Sequence, residues 1–260
     1  MDPREVLSRP AEGPDITVRY AEHEDGLVDV FLPPSLGRSA RPSRLIVAVH
    51  GGFWRQGFDR MHLRPLANAL AARGFVVAVP EYRRVGGSGG WPMTAYDVEA
   101  ALTASPGRIE AAASGRIDPT APCLLIGHSA GGHLAMWAGL RAGRKPVDRI
   151  VALAPVTDLR YAAEANMGQG AVRALMGGGP NDVPVRYAEA DVLAMLPGEV
   201  PVTVIQGTQD KQVTVEMNRQ LTAAHPAVSY VELDGVEHFA LIDPLSPAFG
   251  STLLPALLTR

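Results

Sequence analysis

Five short runs of almost wholly apolar residues constrain the fold of this 260-residue chain more than any other feature. Strands that are buried on both faces have this composition, and they occur in parallel sheets covered by helices. The runs are Leu45 to His50, Phe75 to Pro80, Cys123 to His128, Arg149 to Pro155 and Val202 to Gly207. Segments of helix length alternate with them, which is typical of βαβ units. The sequence therefore predicts an α/β fold with a mostly parallel central sheet and helices on both faces.

Further strands are predicted at the two ends of this pattern. Ile16 to Ala21 and Leu27 to Pro33 alternate apolar and polar residues around a polar turn, which favours an antiparallel hairpin at a sheet edge. Val228 to Leu233 is the last candidate strand, so about eight strands are expected. The helical segments between strands are Arg64 to Gly74, Thr94 to Ser105, Ala130 to Gly143 and Thr214 to His225.

One segment, Asp158 to Pro197, departs from the alternation of strand and helix. It has no clear strand pattern and contains the glycine-rich stretches MGQG and MGGGPND. A connection of this length is usually a lid or a functional insertion. We expect a single domain over residues 1–260, in which this segment forms a small lid over the site.

Composition excludes several classes of protein. A net charge of −3 and the lack of a basic stripe argue against nucleic-acid binding. No apolar stretch is long enough to span a membrane. Cys123 is the only cysteine, so no internal disulfide can form, and the charged, proline-bearing N-terminus does not resemble a signal peptide. These features predict a cytoplasmic protein.

The pattern Gly-x-Ser-x-Gly, which outlines a serine on a sharp turn, occurs at Gly127 to Gly131 and at Gly86 to Gly90. Ser129 follows an apolar strand and precedes a helix, which is the setting that a nucleophile elbow requires. Ser88 has no strand before it and a Trp-Pro pair after it, so its glycines are typical of a loop. We therefore expect Ser129 to be the nucleophile.

A serine hydroxyl needs a base to accept its proton and an acid to orient that base. His238 follows the last predicted strand, where a loop can reach the sheet edge, and Asp210 follows the strand before it. Asp234 and Asp243 are alternative acids by sequence distance, but their settings are typical of a turn and a helix cap. The predicted triad is Ser129, Asp210 and His238.

Acyl transfer also needs amide donors for the oxyanion of the tetrahedral intermediate. The stretch VHGGFW begins at the end of the first apolar run. Its glycines let the backbone turn N–H groups towards the serine. We expect the donors to be the amides of Gly52, Phe53 and Ala130. Trp54 and Trp91 are candidates for lining the substrate pocket, with core packing as the alternative. No metal-binding or dinucleotide motif is present, so neither a metal nor a cofactor is expected.

Four stretches together, VHGGFW, GHSAGGHLA, GTQD and EHF, resemble α/β-hydrolases related to hormone-sensitive lipase and kynurenine formamidase. The likeness is greatest to kynurenine formamidase (arylformamidase), whose HGGxW motif corresponds to His50 to Trp54, and it extends from about Tyr20 onward. In that family the second glycine and the next residue form the oxyanion hole, which implies Gly52 and Phe53 here. The same neighbourhood includes esterases of carbohydrate and feruloyl esters. Gly132 stands where formamidases tend to have alanine, so the resemblance indicates a reaction class rather than a substrate.

The residues and the resemblance predict an α/β-hydrolase that cleaves a small carboxylic ester or an aryl-formamide through an acyl-enzyme intermediate. The order nucleophile, acid, base along the chain is the order found in that fold. Three alternatives use the same scaffold: acyl transfer to an alcohol or amine, cleavage of a thioester or peptide in a biosynthetic pathway, and ligand binding without catalysis. The expected partner is a small-molecule ester or amide, and a homodimer is left open.

Overall fold

Eight strands form one sheet in the computed structural model, which describes residues 3–34 and 42–258. They are β1 (Ile16–Arg19), β2 (Leu27–Phe31), β3 (Leu45–Val49), β4 (Val76–Pro80), β5 (Cys123–His128), β6 (Val147–Leu153), β7 (Val202–Gly207) and β8 (Ser229–Leu233). Their spatial order is β1-β2-β4-β3-β5-β6-β7-β8. β2 pairs antiparallel with β1 and with β4, and the other neighbouring pairs are parallel. The predicted sheet, with its hairpin at one edge, is confirmed.

Helices cover both faces of this sheet. They are α1 (Arg64–Ala71), α2 (Met93–Ala112), α3 (Ala130–Ala142), α4 (Leu159–Glu164), α5 (Ala171–Met176), α6 (Pro184–Glu189), α7 (Val215–Ala224) and α8 (Leu254–Leu258). Successive strand residues point to opposite faces. Val47 and Leu125 therefore join the core beneath α2, α3 and α7, whereas Ile46 and Leu124 join the core beneath α1 and α8. Within the described ranges, no helix has both the length and the hydropathy to cross a bilayer.

Helix α2 is longer than the sequence predicts. The expected helix stops at Ser105, but α2 continues through Pro106 to Ala112. A proline inside a helix removes one backbone hydrogen bond. Ile109, one turn later, is fully buried against the sheet, and burying an isoleucine side chain stabilises the fold by about 2 kcal/mol. Burial of that turn therefore offsets the missing hydrogen bond.

The segment Asp158 to Pro197, described throughout, contains α4, α5, α6 and a 3₁₀ turn at Leu193–Met195, and it contains no strand. It is joined to the main body by buried hydrogen bonds. The Trp91 amide donates to the Leu175 carbonyl at 2.8 Å, and the Trp137 indole donates to the Glu189 carbonyl at 2.8 Å. The segment is thus joined to α3 and to the residues just before α2, and its action as a lid stays a prediction.

Candidate active site

Ser129 lies in the sharp turn between β5 and α3, at the carboxyl edge of the sheet. Its backbone has φ 56° and ψ −121°, a conformation that L-residues rarely adopt. Its amide donates to the Leu153 carbonyl at 2.8 Å. Gly131 must be glycine, because a Cβ there would lie 2.3 Å from the His50 carbonyl oxygen. The turn therefore holds the serine at the start of α3, where the helix dipole favours negative charge.

His238 and Asp210 follow β8 and β7, and their side chains form a buried pair. His238 Nδ1 lies 2.6 Å from Asp210 Oδ2. The other carboxylate oxygen accepts the amides of Gln212 at 2.8 Å and Val213 at 2.9 Å. Gln206 Nε2 donates to Oδ2 at 3.1 Å. These bonds fix the carboxylate, which in turn fixes the orientation of the imidazole.

The two alternative acids are bonded elsewhere. Asp234 accepts the Thr208 hydroxyl at 3.1 Å. Asp243 forms a two-pronged pair with Arg9, in which Arg9 Nη2 lies 2.9 Å from Asp243 Oδ2. Asp243 also accepts the Leu245 amide at 2.9 Å, but Leu245 lies in a turn and the following helix starts at Pro247, so Asp243 closes a turn and is not the helix cap that the sequence indicated. The structure brings Asp210, and neither alternative, to His238.

The loop after β3 contains three consecutive residues with positive φ: Gly52 at 109°, Phe53 at 51° and Trp54 at 56°. A Cβ on Gly52 would lie 2.3 Å from Phe58 Cβ, so only glycine fits there. Within residues 3–34 and 42–258, no oxygen accepts the amides of Gly52 or Phe53. Ala130 begins α3, so its amide has no intrahelical acceptor either. The three amides that the sequence singled out can therefore donate to a ligand.

His50 anchors this loop to the end of β4. Its Nε2 lies 2.8 Å from Glu81 Oε1, and its Nδ1 lies 2.8 Å from the Gly51 carbonyl oxygen. The Tyr82 ring stacks on the imidazole, and its hydroxyl donates to the His50 carbonyl at 2.8 Å. Burial opposes ionisation of Glu81, but the hydrogen bond from His50 and the charge of Arg84 lower its pKa to about 2. The loop thus rests on a buried ionic network.

A cavity of about 160 Å³ brings the candidate residues to one space. Ser129, His238, Gly52 and Phe53 all line it. The other lining residues are Arg4, Leu7, Phe58, His62, His128, Gln212 and Phe239. Ser88 is not among them, and it lies exposed in the turn from Gly86 to Gly90. Of the two Gly-x-Ser-x-Gly serines, the cavity contains only Ser129.

His128, inside the elbow motif, contacts His238, and the sequence did not reveal this contact. Its Nε2 lies 3.1 Å from the His238 carbonyl oxygen, and the two rings are 4.5 Å apart. Burial, reinforced by the nearby His238, keeps the pKa of His128 well below its usual range. The neutral ring therefore donates Nε2–H to that carbonyl. The sequence indicated its closeness to Ser129, but not that the turn points its ring at the His238 loop.

The two tryptophans proposed as pocket residues lie in the core instead. Trp54 is fully buried and packs edge-on against His133, with ring centroids 5.8 Å apart. Trp91 is buried against Trp137 at 5.3 Å. Neither lines the cavity that contains Ser129, so the core-packing alternative describes them. In the part of the chain that the structure describes, no group of three His, Cys, Asp or Glu residues could hold a metal ion.

Known structures share this fold. Esterase B from Lactobacillus rhamnosis, with a tributyrin phosphonate, is 19% identical over 98% of this chain and 88% of its own, with a TM-score of 0.77. A truncated carbohydrate esterase from gut microbiota is 18% identical over 95% of this chain and 96% of its own, with a TM-score of 0.76. A bifunctional GH43-CE protein from Bacteroides eggerthii is 21% identical over 85% of this chain, with a TM-score of 0.69. This chain spans 35% of that protein's length.

These likenesses confirm the predicted α/β-hydrolase fold. No curated protein matches the chain by sequence. A model of the BD-FAE family matches residues 28–224, from β2 to the end of α7. That match includes Ser129, Asp210 and the loop after β3. The chain therefore belongs to the BD-FAE family, an esterase family with the α/β-hydrolase fold.

Proposed function

We propose that this chain is a serine hydrolase that cleaves small carboxylic esters through an acyl-enzyme intermediate. One observation carries the proposal: His238 bonds to Asp210 at 2.6 Å and lines the same cavity as Ser129. A buried carboxylate, an imidazole and a serine on a strained turn are the three groups of a serine hydrolase triad. Membership of an esterase family supports the same reaction class.

In the proposed reaction, Ser129 Oγ attacks the carbonyl carbon of the ester. His238 accepts the hydroxyl proton on Nε2, because its Nδ1–H is directed at Asp210. Asp210 keeps the imidazole in that tautomer and stabilises its positive charge. The imidazolium then protonates the alcohol as it leaves. Water repeats the sequence on the acyl-enzyme and restores Ser129.

The tetrahedral intermediate carries a negative oxygen, which needs preorganised donors. We assign this role to the amides of Gly52, Phe53 and Ala130. Donors held rigidly in advance stabilise the developing charge without reorganisation, and loss of one of them typically costs about 10²–10³-fold in kcat. The positive φ angles and the His50 anchor fix the first two of these amides.

The cavity favours a short acyl group. Its volume of about 160 Å³ is small beside ligand pockets of roughly 300–1,000 Å³. Leu7, Phe58 and Phe239 give it apolar walls. The HGGxW likeness to kynurenine formamidase adds aryl-formamides as a second substrate class, since formyl is the smallest acyl group. Transfer of the acyl group to an alcohol or amine uses the same intermediate, and transfer measured against hydrolysis separates the two.

A turnover panel tests the proposal. It compares p-nitrophenyl esters of increasing acyl length with N-formyl-kynurenine, using wild type, Ser129→Ala and the matched control Ser88→Ala. We expect wild type and Ser88→Ala to hydrolyse short esters equally, and Ser129→Ala to be inactive but folded. Turnover that survives in Ser129→Ala, or a wild type inactive on every substrate, contradicts the proposal. The ratio of ester to formamide turnover decides between the two substrate classes.

A further inference from the structure

Residues 166–170, here called the 166–170 loop, connect α4 to α5 and pack directly on the loop that carries Gly52 and Phe53. Gly168 is the point of closest approach. A Cβ at Gly168 would lie 2.5 Å from Cδ1 and 2.6 Å from Cε1 of the Phe53 ring. No real Cβ comes that close to another carbon, so the ring occupies the space that a side chain at 168 would need.

A second contact joins the same two loops. Arg55 Nη2 donates to the carbonyl oxygens of both Gly168 and Gln169, the latter at 3.0 Å. The Val85 amide also donates to the Trp54 carbonyl at 2.8 Å. The segment from Phe53 to Arg55 is therefore held by both the 166–170 loop and the strand-like bridge to Val85.

The 166–170 loop has a defined backbone of its own. Four of its five residues have positive φ: Asn166 at 51°, Gly168 at 59°, Gln169 at 54° and Gly170 at 80°. Non-glycine residues with positive φ are strained, and they persist only where the surroundings hold them. The Met167 amide, which donates to the Ala162 carbonyl at 2.9 Å, ties the loop to α4.

We propose that Gly168 positions the oxyanion hole: its backbone, which Arg55 fixes, holds the Phe53 ring, and thereby the Phe53 amide, in the donating geometry. This inference rests on the proposed function, in which that amide binds the oxyanion. Ring and amide share one Cα, so pushing the ring aside requires either an unfavourable rotamer or a rotation of the backbone. A misplacement of about 1 Å near reacting atoms costs up to about 10²-fold in rate.

A matched pair of glycine substitutions tests this role. Gly168→Ala and Gly170→Ala both place a side chain at positive φ, so both carry the same kind of backbone cost. At Gly170 the nearest atom to a new Cβ is Asn166 Oδ1 at 3.7 Å, which is ordinary contact. We expect Gly168→Ala to lower kcat on a short ester at least about 10-fold with little change in KM. We expect Gly170→Ala to keep kcat within about 2-fold.

A double substitution separates positioning from general damage. In a Phe53→Ala background the ring is absent but the amide remains, so adding Gly168→Ala should cause little further loss of kcat. Arg55→Met, which removes both loop hydrogen bonds without touching a glycine, should lower kcat with unchanged KM. Three results would overturn the inference. The first is an equal loss of kcat in Gly168→Ala and Gly170→Ala, and the second is a loss of kcat from Gly168→Ala that is just as large in the Phe53→Ala background. The third is a wild-type kcat in Arg55→Met. A wild type without Ser129-dependent turnover would instead contradict the proposed function.

Discussion

Two residues with unusual backbone angles, Ser129 and Phe53, line one cavity. Such conformations cost on the order of 1 kcal/mol or more and need surroundings that enforce them. The close contact of Gly131 with the His50 carbonyl enforces the conformation of Ser129. His50, bonded to Glu81 and Gly51, supports the conformation of Phe53. Residues that never face the cavity thus set its geometry.

The proposed role of Asp210 as the acid of a triad is tested by comparing three aspartates. Asp210→Asn should lower kcat far more than it changes KM, because Asp210 orients His238 and stabilises its charge in the transition state. The same change in another serine triad costs on the order of 10⁴-fold. Asp234→Asn and Asp243→Asn, bonded to Thr208 and Arg9, should be mild. Steady-state kinetics on folded variants checks this, and loss of turnover in either control with Asp210→Asn active would mean that the acid is misassigned.

Glu81 predicts a pH-dependent contribution to stability. Its pKa falls from an ordinary 4.5 to about 2 in the fold, so its ionised form stabilises the folded chain above pH 4.5. That stabilisation is lost as the pH falls towards 2. Glu81→Gln should therefore lower the free energy of unfolding by about 3 kcal/mol at pH 7 and by much less near pH 3. Urea unfolding at both pH values measures this.

Glu164→Gln, at the exposed end of α4, is the matched control for that experiment. It should leave the free energy of unfolding nearly unchanged at pH 7 and at pH 3. A Glu81→Gln difference that is equally large at the two pH values would show that the ionised carboxylate is not what stabilises the loop.

Among the elements, the 3₁₀ turn at Pro3–Leu7 has a role that its sequence does not show. Val6 is buried in the core that includes α1, and Leu7 lines the cavity with Ser129. The paired side chains of Arg9 and Asp243 fasten the turn to the region after His238. A polar, proline-bearing stretch thus becomes one wall of the candidate site.

Leu7 should therefore limit the length of the acyl group. Leu7→Ala removes apolar wall atoms, so longer acyl chains should gain relative to acetyl, by about 10-fold in the ratio of kcat/KM values. The exposed Leu245 provides a control of the same chemistry, since Leu245→Ala should leave the ratio unchanged. The measurement is kcat/KM across a p-nitrophenyl ester series. An unchanged ratio in Leu7→Ala would remove the turn from the acyl pocket.

Across the whole molecule, the sequence predicted what depends on local pattern. The bounds of β5 and β7 match the apolar runs Cys123 to His128 and Val202 to Gly207, because burial on both faces leaves a continuous apolar signature. The predicted helix from Thr94 to Ser105 is shorter than α2, which continues past Pro106 because burial of Ile109 outweighs one lost hydrogen bond. Tertiary packing overrides local helix propensity wherever packing contributes more to stability.

Contacts between residues far apart in the chain could not be predicted from the sequence. Leu7 reaches the cavity of Ser129, and Arg55 bonds to Gly168, across more than a hundred residues of chain in each case. Neither pair belongs to a motif, and no local periodicity records them. For Trp54, the motif suggested a place in the substrate pocket, but the side chain is fully buried. Sequence motifs identified the candidate catalytic residues, whereas the residues that line the cavity could be identified only from the fold.

Covalent labelling measures directly whether Ser129 is the reactive serine. Wild-type protein is treated with a fluorophosphonate, digested, and mapped by mass spectrometry, with Ser129→Ala and Ser88→Ala treated in parallel. We expect one adduct, on the peptide containing Ser129, in wild type and in Ser88→Ala, and none in Ser129→Ala. An adduct on Ser88, or labelling that persists in a folded Ser129→Ala variant, would contradict this expectation.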